Sequence, residues 1–191
     1  MRRSVTLLAV LAAGCGGAAG QNSEPRGEFK VEIVSASFPS SQHIAQPVQL
    51  RVRVRNADDE TLHNVAVTVE TKPTEGNAAT AFGQRSTDPA LADSNRPVWV
   101  LDDGPAGGDV VNVNTWSAGT LGPGESKVLV WKLVASRAGR FTVGYRVSPG
   151  LTGRATAARG NTSGTFDVTI ADHPVPARVG ADGRVTRAAL R

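Results

Sequence analysis

From Phe29 to Ile170 the apolar positions recur every second residue, in short runs separated by glycine, proline, asparagine and aspartate. A period of two puts successive side chains on opposite faces of a strand, so the pattern predicts an all-β chain whose strands have one buried and one wet face. The first strand is expected over Phe29 to Ser37. The clearest is Val48 to Arg55, where Val48, Leu50, Val52 and Val54 point one way and Gln49, Arg51, Arg53 and Arg55 the other. Alternate charges on a solvated sheet face account for the arginine row. After the turn at Asn56 to Asp59, the next strand runs from Leu62 to Thr71 with Val65, Val67 and Val69 inward.

Residues 72–96 follow neither period and are rich in Thr, Ala, Ser, Asn and Asp, which predicts a long loop with a helical turn near Asp88 to Ala92. Loops of that length are uncommon in compact domains and are usually functional or disordered. Val98 to Leu101 and Val110 to Val113 read as a hairpin closed by the wide turn Asp102 to Asp109. Strands are expected over Trp116 to Leu121, Ser126 to Ala135, Phe141 to Val147 and Phe166 to Ile170, with turns at Gly122 to Glu125 and Ala138-Gly139. About 7–9 antiparallel strands at this spacing predict a sandwich over residues 28–171.

Upstream of this pattern, Arg2 and Arg3 precede an apolar run from Val5 to Ala13 and the small residues Ala12-Ala13-Gly14, directly before Cys15. That is the layout of a cleavable export signal, and the run is about half the roughly 20 residues a membrane span requires. Leu11-Ala12-Ala13-Gly14-Cys15 resembles the lipobox of bacterial lipoproteins, with Ala12 where leucine is more usual. The resemblance implies removal of residues 1–14 and a diacylglycerol on the Cys15 thiol, and a second acyl chain is what turns marginal membrane binding into stable anchoring. Residues 15–27 are then a flexible lipidated tether, and residues 172–191, with arginines at 178, 184, 187 and 191, a mobile basic tail that can touch anionic wall polymer or lipid.

The stretch Asn114 to Val147 resembles the immunoglobulin-like repeats of bacterial surface proteins, the cell-adhesion-related and conserved-repeat families, through Leu121, Pro123-Gly124 and Ala138-Gly139 ahead of an aromatic strand. The Val48 to Asn56 strand looks like the matching early strand of those modules. The resemblance implies an immunoglobulin-like β-sandwich and transfers no catalytic residue.

Composition narrows the chemistry. Cleavage leaves about 177 residues, one ordinary domain, with a net charge of about +2, which does not argue for nucleic acid. Cys15 is the only cysteine, so once it is acylated no disulfide, thiolate metal site or cysteine nucleophile remains. His43, His63 and His173 fall on separate segments without metal-ligand spacing, and no Gly-x-Ser-x-Gly or Ser-x-x-Lys arrangement occurs. No enzyme and no cofactor are expected.

Asp88, Asp93, Asn95, Asp102, Asp103 and Asp109 crowd the loops between the third and fifth strands. Such oxygen sets can hold Ca²⁺, with Asp102 and Asp109 the first pair to test, although solvated turns explain the same residues. Trp131 alternates with Leu129 and Leu133 and is expected in the core; the core also accounts best for Trp99 and Trp116, but less strongly because they stand near strand ends, which leaves them as the candidates for stacking on a sugar. The expected function is a non-catalytic, lipid-anchored extracytoplasmic binding or cell-envelope module that meets membrane lipid through Cys15 and cell-wall polymer or a membrane protein through its loops. Second comes an accessory or sensor subunit docking through residues 72–109, and third a Ca²⁺-dependent carbohydrate-binding module.

Overall fold

The computed structural model describes residues 24–71, 82–84 and 97–187. Fifteen strands run in chain order among them. The first six are β1 (Gly27–Phe29), β2 (Val31–Ser37), β3 (Ser41–His43), β4 (Pro47–Asn56), β5 (Leu62–Thr71) and β6 (Gly83–Gln84). Next come β7 (Trp99–Ala106), β8 (Asp109–Asn112), β9 (Thr115–Leu121), β10 (Ser126–Ala135) and β11 (Gly139–Ser148). The chain closes with β12 (Ala155–Ala157), β13 (Ser163–Ala171), β14 (Ala177–Val179) and β15 (Val185–Arg187).

They form an immunoglobulin-like sandwich of a five-stranded sheet, β2-β4-β10-β7-β6, and a six-stranded sheet, β3-β13-β11-β5-β9-β8. The longest strands carry the alternation that the sequence displays. Along β4, Val48, Leu50, Val52 and Val54 are buried while Gln49, Arg51, Arg53 and Arg55 are exposed, and on β11 Phe141, Val143 and Val147 face inward. One apolar cluster from both sheets fills the space between them.

Two ends can be distinguished. At the basal end, where the described chain begins, lie the start of β2, the β4–β5 and β9–β10 turns, and residues 149–162 between β11 and β13. At the apical end lie the β3–β4 and β10–β11 turns, the start of β7 and the exit from β13.

Each level of the sandwich has its own bond or contact between sheets. Near the base, Asn56 of β4 donates from Nδ2 to Leu121 O of β9 at 2.9 Å. In the middle, Trp131 of β10 meets Trp116 of β9 edge to face, with ring centroids 5.3 Å apart and planes at 75°. At the apical end, Trp99 Nε1 of β7 donates to Gln42 Oε1 of β3 at 2.8 Å, and Trp99 packs on Phe38 and Phe141.

The structure corrects several expectations. Residues 99–112 are not a hairpin, because β7 pairs with β10 in one sheet and β8 with β9 in the other. The chain changes sheets across Gly107-Gly108, where Gly107 has φ +87° and a Cβ would run into Val128 O, so only glycine passes there. Nor is the 72–96 segment all loop: β6 pairs parallel with β7, and buried Phe82 packs on Trp116 at 5.8 Å. The expected helical turn at 88–92 lies outside the described residues.

Not every pair is antiparallel, since β1–β12, β3–β13 and β6–β7 are parallel. Residues 177–187 of the expected tail form the β14–β15 hairpin. These additional strands are two or three residues long, too short for any period to register. No helix among the described residues is long and apolar enough to cross a membrane.

Candidate functional site

The expected tether ends sooner than residue 27. Glu24 is 5% exposed, and its carboxylate accepts Leu151 N at 2.7 Å, Thr152 N at 2.9 Å and Thr152 Oγ1 at 2.6 Å. Gly150 beneath it leaves room for the carboxylate, since a Cβ there would stand 2.8 Å from Glu24 Oε2. Burial pushes the carboxyl pKa up, but hydrogen bonds from Thr152, Leu151 and Asn64 outweigh it, and the net direction is down. Three residues further on, Gly27 to Phe29 continue the attachment by pairing with Ala155 to Ala157. The chain is therefore gripped at the base of the sandwich from residue 24 onward.

Because the folded pKa lies below the ordinary value of 4.5, this carboxylate stabilises the fold above that value and loses its contribution as pH falls through the lowered one. Glu24→Gln is expected to cost about 1.5–3 kcal/mol at pH 7, since an amide turns a donor toward the Thr152 and Leu151 N–H groups. Urea titrations of both proteins at pH 7 and about pH 3.5 should show the gap closing at the acid end.

The expected lipidation residue Cys15 and the expected ligand-loop residues Asp88, Asp93 and Asn95 lie outside the described residues. Trp99 and Trp116 are 0% and 2% exposed, which puts both in the core and removes them as candidates for stacking on a sugar. The two rings point between the sheets because each sits on the inward parity of its strand. Asp102, Asp103 and Asp109 are exposed, but Asp102 and Asp103 belong to the five-stranded sheet and Asp109 to the six-stranded one. Lys132 Nζ donates to Asp103 Oδ2 at 2.9 Å, and that hydrogen bond and charge hold the Asp103 carboxyl below its usual range. Among the described residues no group of three or more His, Cys, Asp or Glu is placed to hold a metal ion.

What the fold does assemble around Asp102 is a depression of ≈ 400 Å³, open to solvent, on the outer face of the five-stranded sheet near its apical end. Pro39, Gln46, Pro47, Gln49, Asp102 and Lys132 line it. Side-chain amide, carboxylate and ammonium groups beside two proline rings suit a polar ligand with some apolar surface, bound by hydrogen bonds at a shallow site. The strands flanking residues 72–96 point toward this end, since β5 runs toward it and β7 starts there. Elsewhere, Val110 and Val111 are exposed at 63% and 41% along β8, the last strand of its sheet among the described residues, and Val113 in the turn after it at 64%.

Sequence reasoning missed three polar residues that organise these ends: Glu24, Gln42 and Asn56. For Asn56 the signal was present, because it continues the buried parity of Val48, Leu50, Val52 and Val54. Gln42 and Glu24 lie in polar stretches without a readable period.

No family model and no curated protein matches the chain. Among solved structures the chain is similar to the CARDB domain, a cell-adhesion-related domain, of the PF1109 protein from Pyrococcus furiosus, crystallised in complex with di-metal ions. The identity is 17%, the match covers 78% of this chain and 100% of that one, and the TM-score is 0.45. A β-glucosidase from Listeria innocua, in complex with glucose, aligns at 14% identity over 78% of this chain and 16% of its own, with a TM-score of 0.41. Red sea bream transglutaminase aligns at 11% identity over 74% of this chain and 14% of its own, with a TM-score of 0.40. Identities at this level transfer no residue role to this chain.

Proposed function

We propose that the protein is a non-catalytic, extracytoplasmic binding module, lipid-anchored through Cys15 at its base and presenting a polar recognition surface at its apical end. The observation that carries this reading is the grip on Glu24, which fixes the chain's point of entry at the end opposite to the Asp102 depression. About nine residues separate Cys15 from Glu24, so an extended tether reaches about 30 Å at most. The ten-residue strands add about 33 Å of sandwich beyond that. The basal loops then face the bilayer, and the apical depression faces away from it, toward cell-wall polymer. A carbohydrate-binding site built on Trp99 and Trp116 is not part of this reading, since both rings are spent in the core.

A second reading is an accessory subunit that docks on a membrane protein through residues 72–109. Strand β8 at the sheet margin favours it, because an exposed, valine-rich edge is a template for an extended segment of a partner.

A photo-crosslinking amino acid at Gln49, in the depression, and another at Arg159, on an exposed basal turn, separate apical from basal recognition in intact cells. Adducts to envelope polymer are expected from Gln49 and not from Arg159. Polymer adducts from Arg159 with none from Gln49 would reverse the proposed orientation and end the reading.

A further inference from the structure

The sequence places His43 and His173 130 residues apart, yet the fold sets them side by side at the apical end. Strand β3 pairs parallel with the last residues of β13, with Ala171 opposite His43, so the chain leaving β13 passes over β3. The two imidazole centroids are 5.1 Å apart with the ring planes at 73°.

Each ring is also held by its Nδ1. His43 Nδ1 lies 3.1 Å from His173 O, and His173 Nδ1 lies 3.0 Å from Asp172 Oδ1. A backbone carbonyl and a carboxylate accept hydrogen bonds and cannot donate them, so in both neutral rings the hydrogen sits on Nδ1. That leaves both Nε2 atoms with their lone pairs available. An Nδ1–H held by a carbonyl or carboxylate is the outer-shell arrangement that orients histidines which ligate metals through the other nitrogen. The His173 side chain is 63% exposed, so an ion can reach the pair from solvent.

We propose that His43 and His173 form a bidentate site for an imidazole-seeking divalent transition-metal ion, Cu²⁺ in preference to Zn²⁺, with Asp172 as the outer-shell positioning residue. Water completes the coordination, since the pair supplies only two protein ligands. The preference follows the general affinity order for nitrogen ligands, in which Cu²⁺ exceeds Zn²⁺. Bound there, the ion ties the β3 strand to the segment leading into the β14–β15 hairpin, and so restrains the C-terminal region at the apical end. This inference does not depend on the lipid anchor or on the Asp102 depression.

Calorimetric titration of the detergent-solubilised mature chain with CuCl₂, repeated with ZnCl₂, tests it, together with electron paramagnetic resonance of the Cu²⁺-loaded protein. One equivalent of Cu²⁺ is expected to bind with nitrogen hyperfine structure from two imidazoles, and more weakly for Zn²⁺. His43→Ala and His173→Ala should each weaken Cu²⁺ binding at least about tenfold, Asp172→Ala roughly tenfold, and His63→Ala, on a separate strand, not at all. Saturating Cu²⁺ should raise the melting temperature of the wild type and leave that of His43→Ala unchanged. Retention of wild-type affinity by either single histidine variant, or equal weakening by His63→Ala, would overturn the site.

Discussion

Trp131→Ala is expected to remove about 3–5 kcal/mol of folding free energy, the range for deleting a large aromatic side chain from a packed core. Trp131 is fully buried on β10, opposite Leu50 of β4, and its ring is the five-stranded sheet's half of the central contact with Trp116. Alanine leaves a cavity facing Trp116 that two paired sheets cannot close without shifting their strands. For a chain of this size the melting temperature should drop by roughly 10 °C, which circular dichroism reads without relying on the deleted fluorophore. Trp131→Phe should cost less than half as much. It keeps a ring in the edge-to-face contact, and it deletes an indole N–H that finds no acceptor in the core. Equal losses for the two variants would mean that the ring contact is not what holds the sheets together.

Asn56→Ala is expected to cost about 3 kcal/mol through unpaired polar groups and not through lost volume. Asn56 Nδ2 donates to Glu60 O at 2.7 Å and to Leu121 O at 2.9 Å, while Oδ1 accepts Asp58 N at 3.0 Å. Its backbone accepts Gly124 N and donates to Glu125 O, so one residue joins the β4–β5 turn, the end of β9 and the β9–β10 turn. Truncation strands the buried Leu121 carbonyl and takes the partner from the part-buried Glu60 carbonyl and Asp58 N–H. Asn56→Asp separates this account from simple packing: the shape is kept, but a carboxylate faces those two carbonyls with no hydrogen to offer. Burial and the carbonyls favour the protonated acid, which restores one donor, so the folded pKa of that aspartate is raised. Its penalty relative to wild type at the same pH should therefore be largest at neutral pH and shrink on acidification. A penalty independent of pH would contradict the assigned hydrogen bonds.

How much of this was legible in the sequence depended on whether a feature leaves a period. The alternation of Val48 to Arg55 gave the buried and exposed faces of β4 residue by residue, and the Leu129, Trp131, Leu133 phase placed Trp131 in the core. Such strands are long enough for the two-residue repeat to stand above noise. The crossing at Gly107-Gly108 was misread as a hairpin turn because glycine-rich sequence between two apolar runs looks alike whether the second run returns to its own sheet or joins the opposite one. Only the pairing partners, β10 for one run and β9 for the other, distinguish the two. For Trp99 and Trp116 the core was the stronger reading but stacking on a sugar stayed open, because they stand near strand ends, where parity is ambiguous; their burial closes it. The apical depression was not legible at all, since Pro39, Gln49, Asp102 and Lys132 come from four separate segments that only the fold brings together.

The proposed attachment of the sandwich at its base through an acylated Cys15 is tested most directly by mass analysis of the N-terminal peptide from membrane-extracted protein. The expected peptide begins at Cys15 and carries a diacylglycerol, and Cys15→Ser should move the protein from the detergent phase to the aqueous phase. A chain that retains Met1, or a mature protein with an unmodified thiol at Cys15, would contradict it.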